Sequence, residues 1–478
     1  MSFDFDRDTR RQLGYKLVDH INQYYASLPE RPVQLPVEQR NFPPADSPLP
    51  EQPSDPIEML DQVAEDMVVN GFHVASANYY GLMNCTPTYM AVLAEALVAA
   101  LNPQLAAQQH SPVAGRIERE AERWIGSRVG WPGSFDGTFT SGGNEANFSG
   151  LALALAHAFP GVMQEGVQSI SGQPVLYCST EAHHSLDKSA GLLGLGQSAM
   201  RRIAANDRAQ LDVVKLEEAI AEDLKAERKP FCVAATAGST SSGAVDDLEA
   251  LAGVCRRHRL WLHVDGAYGA SAIFSDRHRD AIRGIELSDS ITLDPHKWLS
   301  MPFAAGVILT SHPEALTAAF GTSTPYMPRV AGVTTPDNFQ VSTQWSRRMN
   351  SLKFWLTLRV HGRQAYEDMM DRQFQLARGF AEWVAASAGY ELAAPVYLPI
   401  VAFRVKPVWG SRPRLPTEQE IAAANAAVVE DVTRDGQRWI SVTQVRGRSA
   451  IRMMIISYLT EQRHVEDLQA ALVAAAPR

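Results

Sequence analysis

The chain has 478 residues, of which 45% are hydrophobic and 20% are charged, and its formal net charge is −9 at pH 7. This length predicts a large domain with one or two smaller units, and the composition excludes a largely disordered chain. Because the balance is acidic and no Lys/Arg-rich stretch stands out, the sequence argues against a nucleic-acid-binding protein.

The four cysteines lie far apart and form no C-x-x-C pair, so the sequence predicts neither a disulfide framework nor a zinc site. The N-terminal residues are charged from Asp4 onward, unlike a signal peptide. No run approaches the roughly 18 apolar residues that a membrane span needs. We therefore expect a cytoplasmic protein that binds no metal, membrane or nucleic acid.

In chain order, residues 5–27 carry apolar side chains at helical spacing, and residues 31–56 are rich in proline. This pattern predicts a helical arm followed by a linker. Residues 57–130 again have a helical pattern. Between 138 and 312, short β-type runs alternate with helical segments, which is typical of a mostly parallel sheet with crossover helices. The strands that we predict there are Val175–Ser179, Phe231–Ala235, Leu260–Val264, Ser290–Leu293 and Gly306–Thr310.

Helices are predicted after Asp212, a candidate N-cap, and after Asp246. Residues 322–345 have little periodicity and predict a loop, and loops of that length often act as functional lids. A helix over about 347–387 then leads into a C-terminal segment that predicts a small α+β domain. The strands that we predict in this segment are Ile400–Val405 and Ile451–Ile456.

The motif Asp294-Pro-His-Lys297-Trp directly follows a predicted buried strand. A lysine at the end of such a strand is unusual because most lysines lie on solvated faces. A surface lysine in a turn is the ordinary alternative. The motif His263-Val-Asp265-Gly-Ala267 places a carboxylate at the end of another strand, where open α/β sheets bind ligands. An aspartate in that position can keep a pyridine nitrogen protonated, although a helix N-cap is the simpler interpretation.

Two further motifs follow strands or precede helices. Phe139-Thr-Ser-Gly-Gly143-Asn-Glu-Ala-Asn opens an apolar helix and offers backbone N–H groups to a phosphate, although a plain glycine turn is the alternative. Ala182-His183-His184 supplies an imidazole that could stack on an aromatic ring or transfer protons, although adjacent histidines also occur on surfaces. No ligand partner stands at metal-binding spacing from these histidines. The order of the four motifs is what one cofactor site on one sheet edge requires.

Together these motifs resemble the group II pyridoxal 5′-phosphate (PLP)-dependent decarboxylases, the family of aromatic-L-amino-acid, glutamate and diaminobutyrate decarboxylases. The resemblance covers about residues 57–470. It implies that Lys297 carries PLP as a Schiff base, that Asp265 pairs with the pyridinium nitrogen and that His183 stacks on the ring. It further implies that Thr240 and Ala267 line the cofactor, that Gly143, Asn144 and His296 surround the phosphate, and that Asn84 and Arg452 contact the substrate. A polar turn residue is the alternative for Asn84, and a structural arginine of the small domain is the alternative for Arg452.

The resemblance also implies the fold and the assembly. We expect an α/β protein of PLP fold type I, which is aspartate aminotransferase-like, with a large domain around a mostly parallel mixed sheet. The expected units are an N-terminal arm and linker (1–56), a large PLP-binding domain that includes a mobile loop (57–345), and a connecting helix with a C-terminal small domain (346–478). The family forms homodimers with active sites at the subunit interface.

The expected reaction is decarboxylation of an L-amino acid to the amine and CO₂, and the mostly apolar segment Tyr79–Cys85 favours an aromatic or other bulky substrate. Aromatic members place a proton-donating tyrosine in the loop, where this chain has only Tyr326, and the matching region reads Pro336-Asp-Asn-Phe339. If Asn338 or Phe339 occupies the donor position, oxygen could intercept the carbanion and yield an aldehyde. A non-catalytic dimeric binding protein and a fold type I aminotransferase or lyase are the remaining alternatives.

Overall fold

The structure is a computed structural model that describes residues 3–36, 39, 46, 48–325, 327, 335–406 and 415–476. Its α-helices are α1 (Arg7–Ser27), α2 (Pro56–Val69), α3 (Tyr89–Leu101), α4 (Pro112–Val129), α5 (Gly143–Ala158), α6 (Val162–Glu165), α7 (Ser185–Leu192), α8 (Val213–Lys225), α9 (Leu248–His258), α10 (Ala315–Phe320), α11 (Ser351–Ala386), α12 (Glu418–Thr433) and α13 (Gln462–Ala475). Its strands are β1 (Asp136–Thr140), β2 (Pro174–Ser179), β3 (Met200–Ile203), β4 (Lys229–Thr236), β5 (Trp261–Asp265), β6 (Ser290–Leu293), β7 (Gly306–Thr310), β8 (Tyr390–Leu392), β9 (Ile400–Val405), β10 (Ser441–Val445) and β11 (Arg448–Met454). No helix in the described part of the chain has the length and apolar content that crossing a membrane requires.

Seven strands form one mixed sheet in the order β1-β7-β6-β5-β4-β2-β3. Strands β3, β2, β4, β5 and β6 run parallel, whereas β7 is antiparallel both to β6 and to β1. Strand β1 therefore has the same direction as β6, so six of the seven carboxyl ends meet at one edge. This is the mostly parallel mixed sheet that the sequence predicts, and β6 and β7 have the predicted bounds.

Side chains of the sheet alternate between two apolar cores, one on each face. On β2, Val175 and Tyr177 belong to one buried cluster, whereas Leu176 and Cys178 belong to the other. Because both faces are covered by helices, the strands are continuous apolar runs, and this is the signal that located five of them in the sequence. Strand β1 contains Gly137 and β3 contains two arginines, so neither gave that signal.

Two helix starts were predicted from an aspartate in the sequence, and one of them is shifted by one residue. Asp212 accepts hydrogen bonds from the backbone N–H groups of Val214 and Lys215 and caps α8, as predicted. Helix α9 is capped by Asp247 and not by the preceding residue. Asp246 is buried, and its carboxylate instead accepts hydrogen bonds from the backbone N–H groups of Leu211 and Thr236. It therefore ties β4 to its neighbouring loop.

The predicted helix over 347–387 begins later and is not continuous. Helix α11 begins at Ser351 and is broken at Gly362, whose φ of 71° and ψ of 169° are not helical. Only glycine adopts such a positive φ readily, so this residue sets the kink between two helical pieces.

A second sheet of four antiparallel strands, in the order β10-β11-β9-β8, packs with α12 and α13 near the C-terminus. It forms its own apolar core, which includes Phe403, Ile451 and Met453. At the other end of the chain, α1 packs against α2, and neither helix has a buried residue. The architecture thus has a large sheet layer, a small C-terminal α+β unit and a helical N-terminal arm.

Candidate active site

A cavity of about 420 Å³ lies at the edge where the carboxyl ends of the parallel strands meet. Segments that follow β1, β2, β4, β5 and β6 all contribute to its wall, as expected for ligand sites of open α/β sheets. The residues that line it are Met83, Ser141, Gly142, Gly143, Asn144, Glu145, Asn147, His183, Ser185, Thr236, Gly238, Thr240, Asp265, Ala267, Tyr268, Asp294, His296, Lys297 and Phe303. Eight of the ten site residues predicted from the sequence are therefore brought together at one surface.

Lys297 reaches this cavity from the turn after β6. Its Nζ donates to Asp294 Oδ2 at 3.1 Å, and the lysine side chain is 23% exposed whereas the aspartate side chain is 1% exposed. The second oxygen of Asp294 meets no hydrogen-bond partner among the described residues. The lysine thus ends in a concave site with one polar contact, free to react with a carbonyl carbon that enters the cavity.

Asp265 ends β5 and is held by two donors. Asn147 Nδ2 donates to Asp265 Oδ2 at 2.9 Å, and the backbone N–H of Ala267 donates to Oδ1 at 3.2 Å. Behind it, Asn147 Oδ1 accepts from Thr292 Oγ1 at 2.7 Å and lies 3.1 Å from His263 Nε2. Complete burial lowers the pKa of His263 to about 4, so this imidazole is neutral at pH 7.

His183 follows β2 and also lines the cavity. Its Nδ1 lies 2.9 Å from Ser185 Oγ, and the same hydroxyl accepts from Asn147 Nδ2 at 2.9 Å. Partial burial lowers the pKa of His183, and Asp265 opposes that shift only in part. The ring is therefore a neutral, flat π surface at neutral pH, held in place through Ser185 and Asn147.

The glycine loop after β1 is packed too closely for side chains. A Cβ on Gly143 would lie 2.7 Å from Asp294 Oδ2 and 3.1 Å from Ala267 Cβ, and one on Gly142 would lie 2.9 Å from His296 Cε1. Gly143 is the first residue of α5, so free backbone N–H groups face the cavity there. His296 accepts from the backbone N–H of Ala305 at 2.9 Å, and burial lowers its pKa. The loop, the helix N-terminus and a histidine together fit a phosphate.

The two predicted substrate residues lie next to the cavity and are not among the described residues that line it. Asn84 Oδ1 accepts from Tyr79 OH at 3.2 Å, and Asn84 adjoins Met83, which does line the cavity. Arg452 donates to the backbone carbonyl of Thr240, a lining residue, and to Ser441 Oγ. Its Nε has no partner among the described groups, and burial lowers its pKa to about 10.

Sequence reasoning did not single out several polar groups of the wall, namely Glu145, Asn147, Ser185 and Asp294. Glu145, Asn147 and Asp294 belong to the glycine-loop and Lys297 motifs, so the sequence places them near the predicted site. It does not show which of them contact Asp265 or Lys297. Within the described residues, no group of three or more His, Cys, Asp or Glu side chains is arranged to hold a metal ion.

The residues present fit PLP. A lysine, an aspartate at a strand end, a flat imidazole and a glycine loop at a helix N-terminus meet the needs of its aldehyde, pyridine nitrogen, ring and phosphate. The partnerless oxygen of Asp294 and the close approach of the Gly143 backbone to Asp294, which leaves no room for a Cβ, are further signs of a preformed cofactor site.

Comparison with known proteins agrees with this geometry. The family described as "Pyridoxal-dependent decarboxylase conserved domain" matches residues 36–406. The chain is 31% identical to an aromatic-L-amino-acid decarboxylase of Bacillus atrophaeus, over 98% of this chain and 95% of the relative. It is 29% identical to a 4-hydroxyphenylacetaldehyde synthase of Rhodiola rosea, over 95% and 92% of the two chains. The crystal structure of Oryza sativa TDC with PLP and tryptamine has a TM-score of 0.90 and 25% identity, and each chain is covered over 100%.

Because the family match spans most of the large sheet domain and the relatives are similar along nearly the whole chain, the protein belongs to the pyridoxal-dependent decarboxylases, PLP-dependent carboxy-lyases that act on amino acids.

Proposed function

We propose that this protein decarboxylates an aromatic or other bulky L-amino acid and releases the amine and CO₂. The observation that carries the proposal is the convergence of Lys297, Asp265 and His183 on one cavity together with a glycine loop. Family membership supports the reaction type, and the substrate preference rests on the apolar groups beside that cavity.

In this proposal Lys297 binds the aldehyde of PLP, the backbone of Gly143 and Asn144 with His296 binds the phosphate, and Thr240 and Ala267 line the ring. Bound PLP supplies an electron sink for the pair of electrons that remains at Cα when CO₂ departs. Every other contribution comes from side chains of the protein.

Asp265 holds a proton on the pyridine nitrogen, because a carboxylate at that atom stabilises the positive ring. The donors from Asn147 and from the Ala267 backbone keep the carboxylate oxygens oriented toward the cavity. His183 covers one face of the ring and restricts the water that reaches it. After CO₂ has left, Lys297 in its neutral amine form would bond to the aldehyde carbon of PLP in place of the product amine, which is thereby released.

The walls around the cavity support a bulky substrate. Met83 and Phe303 line it, and Tyr79, which holds Asn84, stacks on Trp439 with ring centroids 5.5 Å apart. Arg452 is buried without a carboxylate partner in the described part of the chain, and an uncompensated buried cation favours an anionic ligand. We infer that Arg452 and Asn84 orient the substrate when it occupies the cavity.

The proposal is tested by incubating the PLP-loaded protein with a panel of L-amino acids and following CO₂, amine, aldehyde and oxygen uptake together. Release of CO₂ and amine in equal amounts from an aromatic substrate, without oxygen uptake, is expected. A matched Lys297→Arg protein keeps the positive charge and is expected to release no CO₂. Amino-group transfer without CO₂ would contradict the proposal.

A second candidate is the aldehyde-forming reaction, because a relative is an aldehyde synthase and residues 322–345 contain one tyrosine, Tyr326. Tyr326 lies outside the described residues. Phe339 is buried and stacks on Trp345, and Asn338 donates to Glu118 Oε1 at 3.3 Å, so neither lines the cavity of its own chain. These positions disfavour Asn338 and Phe339 as proton donors, so we propose Tyr326, the only tyrosine of the segment, as the donor and the amine as the product. A Tyr326→Phe protein is then expected to shift toward aldehyde, peroxide and oxygen uptake.

We also propose a homodimer with active sites at the subunit interface, and the division into an arm (1–56), a large domain (57–345) and a small domain (346–478). Of the 28 exposed large apolar side chains among the described residues, 16 lie between residues 3 and 113, where an arm and its first helices would meet a partner. All four cysteines are free and buried, which supports a reducing cytoplasmic setting.

A further inference from the structure

Glu145 lies at the first turn of α5, immediately beyond the glycine loop, and both of its carboxylate oxygens are occupied by donors from two separate segments. The backbone N–H and the hydroxyl of Ser141 donate to Oε2 at 2.7 and 2.8 Å. Gln344 Nε2 donates to the same oxygen at 2.7 Å, and Thr343 Oγ1 donates to Oε1. The carboxylate therefore joins the glycine loop to the end of the 322–345 segment.

The charge of Glu145 is maintained by these contacts. Burial alone would raise its pKa, but the hydrogen bonds from Ser141, Thr343 and Gln344 together hold the pKa below its usual value. Glu145 is therefore ionised at neutral pH, and its bonds are the stronger, charge-assisted kind. Both oxygens of this carboxylate already accept hydrogen bonds, and its negative charge would repel a phosphate, so we do not expect Glu145 to contact the phosphate itself. Its role must be exerted through Ser141 and the loop.

The segment beyond Gln344 is attached to the same part of the fold. Arg347 is buried and donates to Thr138 Oγ1 and to the Phe139 carbonyl, both on β1, and it also pairs with Glu118 of α4. Residues 343–347 thus hold β1 through Arg347 and the loop after β1 through Glu145. The backbone that faces the cofactor phosphate is fixed from outside the cavity.

We propose that Glu145 is a positioning residue that makes cofactor retention depend on the anchoring of residues 343–344, which do not line the cavity. The inference rests on the proposed cofactor site. Losing the contact from Thr343 frees one side of the carboxylate, so the glycine loop gains alternative conformations and its N–H groups are no longer preorganised for phosphate. By reciprocity, bound PLP should stabilise the anchored arrangement of Thr343 and Gln344.

The test measures the PLP dissociation constant of the cofactor-stripped full chain, by tryptophan fluorescence and by Schiff-base absorbance, for wild type, Thr343→Val, Glu145→Gln and the double variant. Glutamine has one acceptor oxygen and cannot satisfy both segments. We expect Thr343→Val to weaken PLP binding about three- to tenfold, because only part of the free energy of a lost hydrogen bond to a charged group is transmitted to the phosphate site. Glu145→Gln should weaken it at least as much, and the double variant should be little worse than Glu145→Gln alone.

Thr443→Val, on β10 of the small sheet, is the matched control and should leave PLP binding unchanged. Hydrogen exchange distinguishes this role from a purely structural one. PLP should slow the exchange of residues 340–346 in wild type and much less in Glu145→Gln. If Thr343→Val binds PLP with wild-type affinity, or if the two substitutions lower the binding free energy additively, the proposed link between Thr343 and the glycine loop is wrong. The proposed cofactor site would be unaffected by that result. A wild-type protein that binds no PLP would overturn both, so the two failures are distinguishable.

Discussion

Asp265 and His183 share one support, because Asn147 donates to the Asp265 carboxylate and to the hydroxyl that holds His183. One buried amide thus positions both the carboxylate that we propose pairs with the pyridine nitrogen and the imidazole that we propose stacks on the cofactor ring. Neutral His263 lies behind this amide and completes the chain of contacts. The orientation of Asp265 is therefore built into the protein before any cofactor arrives.

The first prediction concerns the charge of Asp265. In Asp265→Asn the side chain keeps its shape but no longer stabilises a proton on the pyridine nitrogen. The expected kcat is lower by roughly a hundredfold or more, the scale of losing one preorganised electrostatic group, while Lys297 still forms its Schiff base. Steady-state kinetics and absorbance measure the two effects. Asp280→Asn, on an 86% exposed side chain, is the control, and wild-type kcat in Asp265→Asn would contradict the assigned role.

The second prediction concerns His263 and acid stability. Its pKa is about 4 in the folded protein because of burial and about 6.5 when unfolded, so the unfolded chain binds this proton first as the pH falls. The stabilising contribution is complete above pH 6.5 and is lost as the pH approaches 4, with a total of about 3 kcal/mol. In His263→Gln, the free energy of unfolding should be lower at pH 7 but fall less between pH 7 and pH 5. The two proteins have all other titrating groups in common, so the difference between their free energies of unfolding in urea, measured against pH, reports His263 alone. Parallel pH profiles would refute the prediction.

At the scale of elements, the cavity at the sheet edge depends on the close approach of the loop after β1 to the loop after β6. The third prediction is that Gly143→Ala weakens PLP binding by about tenfold or more, because its Cβ would lie 2.7 Å from Asp294 Oδ2, against buried groups with little room to shift. Gly191→Ala on α7, where a Cβ meets nothing within 4 Å, should bind PLP normally and unfold at the same or a higher temperature. Equal PLP affinities of the two variants would show that the loop is not the phosphate site.

The strands of the large sheet that could be predicted from the sequence are those whose side chains are apolar on both faces of the sheet. Strands β6 and β7 could be bounded to the residue, since they are uninterrupted runs of buried side chains. Strand β3 could not, since two of its four residues are arginines that bind acidic groups at the sheet edge. Gly362 likewise gave no signal, because a single glycine in a helical pattern is usually tolerated without a kink.

The candidate site was predictable to the extent that its residues stand at strand ends. Lys297 and Asp265 each follow an apolar run, so a shared sheet edge could be inferred from chain order alone. The link from Glu145 to Thr343 could not, because it joins residues 198 positions apart through loops whose path no periodicity encodes. For the same reason, residue order alone does not show whether Arg452 reaches the cavity directly or through Thr240.

At the scale of the whole molecule, the N-terminal third exposes an apolar surface. Leu93, Leu97 and Leu101 are 37%, 48% and 68% exposed on one face of α3, and α1 and α2 bury no residue of their own. Monomers rarely expose patches of this kind, and a second copy of the chain is the partner that the proposed dimer supplies.

The fourth prediction is therefore that the protein sediments as a dimer and that Leu97→Glu weakens the dimer by at least about tenfold, as expected when a charge enters an apolar contact. Leu224→Glu is the matched control, because Leu224 is 52% exposed on α8, outside that face. Analytical ultracentrifugation over a range of concentrations measures both proteins. If Leu97→Glu and Leu224→Glu dimerise alike, the α3 face is not the interface.

Whether Lys297 binds PLP can be measured by borohydride reduction of the PLP-loaded protein followed by peptide mapping. We predict that one phosphopyridoxyl group per chain is found on the peptide that contains Lys297, and that Lys297→Arg protein treated in the same way carries none. Labelling of a different lysine, or no stable label in wild-type protein saturated with PLP, would show that Lys297 is not the residue that binds the cofactor.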